Sequence, residues 1–387
     1  MSTPLFHALR VKRIEPDTPE AVVVSFEVPA ELREVFGYTQ GQYLTLRAQI
    51  DGQDLRRSYS ICAGVDDAEL RVGVRRVRGG VFSNWINTRL RPGDTLQVMA
   101  PQGRFFVPIE PAARRHHLGI AGGSGITPIL SIMKTVLARE PKSRFTLVYG
   151  NRTLASTMFK EELEDLKNRY MTRLVLQHVF SDEPTDAPIA HGLLDRAKLG
   201  EVLRALLPAA RANVALPLCS IPSGDGRPWP AQGRLDVDHA YVCGPFQMND
   251  EAQAALLAAG VPEERIHVER FGVAPSAAGA VDAVVHAAQP GDAERSRVVI
   301  VRDGLTREIE FRREQPSILD AAAAAGLEVP FSCTSGVCGT CRAKLVEGQV
   351  RMGRNFALDK AEVAAGFVLA CQSHPLTERV VLSFDER

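Results

Sequence analysis

The stretch 116–140, HHLGIAGGSGITPILSIMKTVLARE, is an apolar run, then a glycine-rich turn, then apolar residues recurring at helical spacing. A strand that passes through glycines straight into a helix is half of a parallel βαβ unit. On its C-terminal side the alternation continues with RFTLVYGNR (144–152), the helical KEELEDLKNRY (160–170) and RLVLQHVF (173–180). It resumes in HAYVCGP (239–245), the helical NDEAQAALLAAG (249–260) and RIHVERF (265–271). Residues 109–272 are therefore predicted to form an α/β domain on a parallel sheet. Within it, 182–238 reads as an insertion with one helix, LLDRAKLGEVLRALL (193–207), and a long Pro- and Gly-bearing loop, ALPLCSIPSGDGRPWPAQGR (215–234).

Before this domain the pattern is different. Residues 1–108 carry short apolar runs, VVVSFEV, QYLTLRAQI, RSYSICAG, LRVGVRRV and TLQVMAP, separated by Gly, Pro and Asp turns, which suggests an antiparallel β-barrel. After it, 273–295 is rich in Ala, Gly and Pro and reads as a linker. Residues 296–387 form a third unit, opening with VVIVRDGLTREIEF, a hairpin signal around Asp303-Gly304. A helix follows in SILDAAAAAGLEV, with Gly326 placed to end it.

Composition agrees with several ordinary domains. The chain has 387 residues, 45% hydrophobic and 24% charged, more than one core holds. Its 46 Lys and Arg balance 46 Asp and Glu, so the basic footprint of a nucleic-acid binder or an anionic-membrane binder is lacking. The N-terminal MSTPLFHALRVKRIE has no apolar signal region and no stretch reaches membrane-span length, so a cytoplasmic location is expected. No histidine metal motif and no Gly-x-Ser-x-Gly elbow supports hydrolase chemistry.

Three of the seven cysteines crowd into CTSGVCGTC as Cys333, Cys338 and Cys341, and Cys371 follows in a strand-like FVLACQS. C-x4-C-x2-C with a distant fourth Cys is the spacing of plant-type [2Fe-2S] ligation. Two irons bridged by two sulfides need four thiolates, and Gly336 and Gly339 let backbone amides approach the sulfurs. A zinc site is the alternative, but it favours two C-x2-C pairs and only one is present. Cys62, expected in a strand, and Cys219, in the long loop, have no ligand spacing and read as small apolar residues.

Further motifs carry a resemblance. Arg57-Ser58-Tyr59-Ser60 looks like the RxYS motif of the ferredoxin-NADP reductase superfamily, and Gly79-Gly80-Val81-Phe82-Ser83 resembles its second flavin-phosphate motif. The stretch Gly122-Gly123-Ser124-Gly125-Ile126-Thr127-Pro128 resembles the family's nicotinamide pyrophosphate loop, and Cys243-Gly244-Pro245 its segment beside the nicotinamide. Glu269-Arg270-Phe271-Gly272 is similar to its closing segment.

The residue chemistry is compatible with each assignment. Arg57 offers a planar charged fork to a phosphate, and Gly80 to Ser83 open a helix whose amides favour anions. The resemblance implies that Tyr59 packs on the flavin, Ser60 hydrogen-bonds flavin N5, Cys243 and Met248 lie by the nicotinamide, Glu269 is a proton or orientation partner, and Phe271 shields the ring. Arg152 stands where an acidic residue would bind a ribose hydroxyl, which leans toward NADPH over NADH. Gln102-Gly103-Arg104-Phe105-Phe106 resembles FAD-type members, so FAD is expected rather than FMN.

The implied protein is an NAD(P)H oxidoreductase. Its FAD β-barrel, α/β nucleotide domain and α+β ferredoxin (β-grasp) domain pass electrons to an oxygenase component. Domain order, GVFSNWI, YGNRT and the MFKEEL segment are similar to the reductase subunits of phenylacetyl-CoA oxygenases (epoxidases), which implies a di-iron partner and phenylacetate catabolism. A Rieske oxygenase or a hybrid-cluster protein would be another acceptor, and a redox sensor that does not turn over nucleotide is the rival from a different class.

Overall fold

The computed structural model describes residues 5–207, 235–272 and 288–386. The expected loop at 215–234 with Cys219, and most of the expected linker, lie outside the described residues.

The first unit has strands β1 (His7–Thr18), β2 (Ala21–Glu27), β3 (Tyr43–Ile50), β4 (Gln53–Ser60), β5 (Leu70–Arg75) and β6 (Thr95–Val98), with helix α1 (Val81–Thr88) between the last two. They form an antiparallel sheet in the order β4-β3-β6-β1-β2-β5, and Ile61, just past β4, bridges Val72 of β5 so that the edges meet as a barrel. Leu9, Val24, Leu44, Leu46 and Val72 fill its interior. The strand β1 is absent from the sequence expectation because, of HALRVKRIEPDT, only Leu9 and Val11 are buried, and charged residues mask the alternation. Cys62 is buried as expected but lies beyond the Ile61 bridge, outside any strand.

The second unit runs β7 (His116–Gly122), α2 (Ile126–Arg139), β8 (Arg144–Asn151), α3 (Lys160–Arg169), β9 (Leu174–Phe180), α4 (Arg196–Leu206), β10 (His239–Gly244), α5 (Phe246–Ala258) and β11 (Ile266–Arg270). Its five strands are parallel in the order β11-β10-β7-β8-β9. Every residue of β7 is buried, as helices on both faces of a parallel sheet require. Ala21, Val23 and Phe105 belong to the same apolar cluster as α2 and Phe159, so barrel and sheet share a core. That shared core fixes the glycine turn after β7 against β5, where Gly73 packs on Thr127 and Phe159.

The third unit contains β12 (Arg295–Arg302), β13 (Leu305–Arg312), α6 (Ile318–Ala324), β14 (Arg342–Glu347), β15 (Val350–Met352), α7 (Lys360–Ala364), β16 (Phe367–Leu369), β17 (Ser373–Pro375) and β18 (Arg379–Ser383). A mixed sheet β13-β12-β18-β14-β16 packs against α6, the β-grasp arrangement. Asp303 (φ 53°) and Gly304 (φ 70°) make the two-residue turn of the β12–β13 hairpin, whose left-handed pair matches strand twist. Cys371 corrects the expectation of a strand. It sits in a single 3-10 turn, Ala370–Gln372, between β16 and β17, because a thiol must leave the pleat to reach the loop opposite.

Candidate active site

Period-two geometry sorts the motif on β4. Arg57 and Tyr59 share one face of β4, with Arg57 exposed, whereas Arg56 and Ser60, both buried, lie on the other, Ser60 beside the cleft. Arg57 Nη1 donates to the Arg56 carbonyl at 2.7 Å, leaving other guanidinium N–H groups for an anion. Tyr59 is half-buried, its ring 6.1 Å from that of Phe82. Gly80 is the N-cap of α1, so the amides of Val81, Phe82 and Ser83 open the helix without intrahelical acceptors. The Ser83 hydroxyl accepts from the Val77 N–H at 3.1 Å and tightens this corner. An exposed fork, free helix-start amides and an aromatic face on one side of the barrel form a donor set that fits a flavin with its phosphates.

Ser60 Oγ donates to Glu269 Oε2 at 3.1 Å, across the boundary between the first two units. Glu269 is the register partner of Cys243 at the carboxyl ends of β10 and β11, where open α/β sheets take ligands. Burial pushes the Glu269 carboxyl up to about 8, opposed by the Ser60 hydrogen bond. The Cys243 thiol is also raised, by burial and then by the neighbouring Glu269, so it stays neutral. Phe271, two residues past Glu269, is 47% exposed at the mouth of this cleft.

The glycine turn is built for close approach. Gly123 has φ 53°, and a Cβ there would stand 2.8 Å from Arg75 Nη1. A Cβ on Gly122 would meet Met248 Sδ at 2.6 Å and Pro245 Cδ at 2.7 Å, so Gly122, Pro245 and Met248 pack as one surface. Gly125 abuts the Cys243 carbonyl and the Gly244 nitrogen. The Thr127 hydroxyl donates to the Ser124 carbonyl at 2.9 Å, and buried Pro128 continues the first turn of α2. Arg152, just past β8, reaches Glu20 Oε2 at 2.9 Å, and Arg75 holds the same oxygen at 3.0 Å. Glu20 lies beyond the flavin motifs, and no local pattern marked it.

The four cysteines of the third unit come together as two thiol pairs, Cys333 with Cys338 and Cys341 with Cys371. Two pairs suit two irons, each completed by bridging sulfides. Amide N–H groups of Ser335 and Cys338 point at Cys333 Sγ, at 3.5 and 3.3 Å, aided by left-handed Thr334, Gly336 and Gly339.

Sequence reasoning missed the residues that seat this unit on the barrel. Arg56 and Arg47 both reach Glu328 Oε1, at 3.4 and 3.3 Å, and the Arg56 guanidinium lies 4.0 Å over the Phe331 ring. Arg56 therefore faces the cysteine unit, on the side of β4 away from Arg57. Arg104 pairs with Glu362, and Tyr43 Oη lies 3.0 Å from Thr340 Oγ1. From the second unit, Phe246 of α5 meets Phe356 edge-on at 5.5 Å.

Comparison with known proteins agrees with this arrangement. Residues 9–107 match an oxidoreductase FAD-binding domain, 120–254 an oxidoreductase NAD-binding domain and 300–376 a 2Fe-2S iron-sulfur cluster binding domain. The chain is 41% identical over 382 residues to one of the subunits of the 1,2-phenylacetyl-CoA epoxidase of Escherichia coli K12, covering 99% of this chain and 98% of that one. It is 32% identical over 380 residues to the ferredoxin reductase component of 3-ketosteroid-9-alpha-monooxygenase from Rhodococcus rhodochrous, covering 97% and 96%. The solved phthalate dioxygenase reductase shares the fold at a TM-score of 0.53, with 24% identity and 98% of each chain covered. Two full-length relatives above 30% identity, three successive domain matches and a shared three-unit fold lead to one assignment: the chain belongs to the ferredoxin-NADP reductase superfamily, as an oxygenase reductase that passes electrons from NAD(P)H through FAD and [2Fe-2S].

Proposed function

We propose that this reductase serves a multi-subunit di-iron oxygenase of the phenylacetyl-CoA epoxidase kind, in the cytoplasm, with NADPH as donor. The observation that carries the hydride end of this reading is the contact of Ser60 with Glu269, itself paired in register with Cys243. Arg57 and the α1 amides would hold the FAD pyrophosphate, Tyr59 and Phe271 would flank its ring, and Ser60 would face N5. Cys333, Cys338, Cys341 and Cys371 would hold the cluster. When bound, FAD takes two electrons as a hydride and releases them singly to a one-electron [2Fe-2S] carrier.

The chain's own residues prepare that exchange. Gly122, Gly123, Ser124, Gly125, Thr127 and Pro128 would receive the nucleotide pyrophosphate, with Cys243, Gly244, Pro245 and Met248 supplying an uncharged wall for the nicotinamide. The protonated Glu269 stores a proton one hydrogen bond from Ser60. Arg152 is the residue that would meet a 2′-phosphate, exchanging Glu20 for it, and Asn151 beside it offers no competing carboxylate. We set the domains at 1–108, 109–272 and 296–387, joined by 273–295. No helix among the described residues is long and apolar enough to cross a membrane.

Anaerobic mixing with NADPH or NADH tests the donor end: NADPH should bleach the flavin and then reduce the cluster, and failure of both nucleotides overturns the reading. Turnover with purified phenylacetyl-CoA epoxidase oxygenase, set against a 3-ketosteroid monooxygenase oxygenase, tests the partner. Coupling to the second alone would reassign it.

A further inference from the structure

Tyr43 stands between the two ends of the path. On β3 it is the register partner of Ser60, the residue bonded to Glu269. Its hydroxyl, buried, lies 3.0 Å from that of Thr340, between Cys338 and Cys341 of the cluster loop. The ring has little freedom. Backbone bonds tie Tyr43 to Gln102 in both directions, at 2.8 and 3.0 Å. Gly103, with φ 109°, lies so close that a Cβ would stand 2.9 Å from Tyr43 Cδ1 and 3.1 Å from Cε1. Any side chain at 103 would displace the ring, and its backbone conformation also favours glycine. Around this contact Arg104–Glu362, Arg47–Glu328 and Arg56–Glu328 bring the two units together, but these are charged pairs with exposed partners that many relative poses would satisfy. The Tyr43–Thr340 contact is buried and directional, so it discriminates among those poses.

We propose that Tyr43 is a positioning residue for transfer between the flavin and the cluster, its hydroxyl locking the Thr340 loop onto the strand pair that carries Ser60. The inference rests on the flavin and cluster seats proposed above. One electron leaves the reduced flavin and enters the oxidised cluster, no covalent bond forms or breaks, and Tyr43 keeps its phenolic proton.

The test uses full-length holoprotein with Tyr43→Phe, Thr340→Val, the double variant and Thr340→Ser, each checked for flavin and iron content. In anaerobic stopped-flow with NADPH, flavin bleaching should match wild type, while cluster reduction slows about 2- to 10-fold, the effect of one neutral hydrogen bond on the docked population. Thr340→Ser should restore the rate, and the double variant should be no slower than the slower single one. Amide exchange across 333–341, measured in the oxidised protein without turnover, should quicken in Tyr43→Phe. Unchanged cluster reduction in Tyr43→Phe, additive single effects, or slowing without altered exchange would each overturn the proposal. Photoreduction of the flavin in the absence of nucleotide gives the same comparison independently of the hydride site, so a failure there counts against Tyr43 and not against the NADPH assignment.

Discussion

Gly125→Ala is the substitution on which the nicotinamide cleft depends most directly. Gly125 has φ −62° and ψ −9°, a conformation any residue adopts, so alanine brings no backbone strain of its own. The obstacle is steric: the added Cβ would fall inside the carbonyl group of Cys243 and 2.8 Å from the Gly244 nitrogen. Carbon meets a carbonyl oxygen no closer than about 3.3 Å, so α2 and the end of β10 must part by roughly 1 Å. Both neighbours are main chain, and no side-chain rotation relieves the overlap. Overpacking of this kind costs about 1–3 kcal/mol, which for a unit of this size lowers Tm by about 2–12 °C. A displacement of about 1 Å of Cys243 relative to the flavin should slow hydride transfer by up to about 100-fold. Stopped-flow bleaching by NADPH measures that rate, dithionite reduction shows whether the flavin itself is intact, and calorimetry gives Tm. Gly272→Ala, with nothing within 4 Å of its added Cβ, is the control and should be neutral. A Gly125→Ala protein with wild-type Tm and a bleaching rate within threefold of wild type would refute the reasoning.

Three further outcomes follow from the same geometry. Cys338→Ser should abolish reduction of cytochrome c or another one-electron acceptor while leaving NADPH-driven flavin bleaching intact; undiminished cytochrome c reduction would mean that electrons bypass the cysteine loop. Glu269 binds its proton more tightly folded than unfolded, so it costs stability progressively as pH rises from about 4.5 to about 8 and no further above that. Glu269→Gln should therefore match wild type in thermal unfolding near pH 4 and exceed it at pH 9 by about 1–2 kcal/mol, less than full conversion at about 1.4 kcal/mol per unit because the cleft admits solvent. A gap that is the same at both pH values would contradict this. Glu328→Gln removes the carboxylate shared by Arg47 and Arg56, and with Glu328 48% exposed the loss should be about 1 kcal/mol. Its flavin-to-cluster rate should fall at low salt and lose the ionic-strength dependence of wild type, and an undisturbed salt profile would show that the pair does not guide docking.

What the sequence made legible was local. The glycine turn after β7, the Asp303-Gly304 hairpin and the Gly326 helix end each depend on a few neighbouring residues with restricted backbone preferences, and the structure places them as expected. The cysteine spacing was readable because four thiols serve one chemistry. Long-range partners were not readable. Nothing near Arg56 distinguishes it from Arg57: one charge is claimed by Glu328, 272 residues away, and the other is left facing the flavin side. Arg104, in a stretch that resembled a flavin signature, is occupied by Glu362. Arg152 looked free to bind phosphate, but Glu20, 132 residues away, already holds it. Strand β1 was lost because its outward residues are charged and its inward ones few, and Cys371 because a ligand's need to reach a metal overrides the strand propensity around it.

Arg56 and Arg57 make β4 a party wall between two compartments, with one arginine furnishing each side. Module exchange is constrained accordingly. A chimera that grafts another ferredoxin onto this barrel inherits Arg56 at 8% exposure, with two of its nitrogens lacking hydrogen-bond partners. Unless the graft also brings an acid at the Glu328 position and an aromatic ring at the Phe331 position, that cation is left unneutralised in the seam. Recombination among such reductases should therefore succeed when β4 and the segment around residues 328–331 travel together, and the unit of inheritance is wider than the domain.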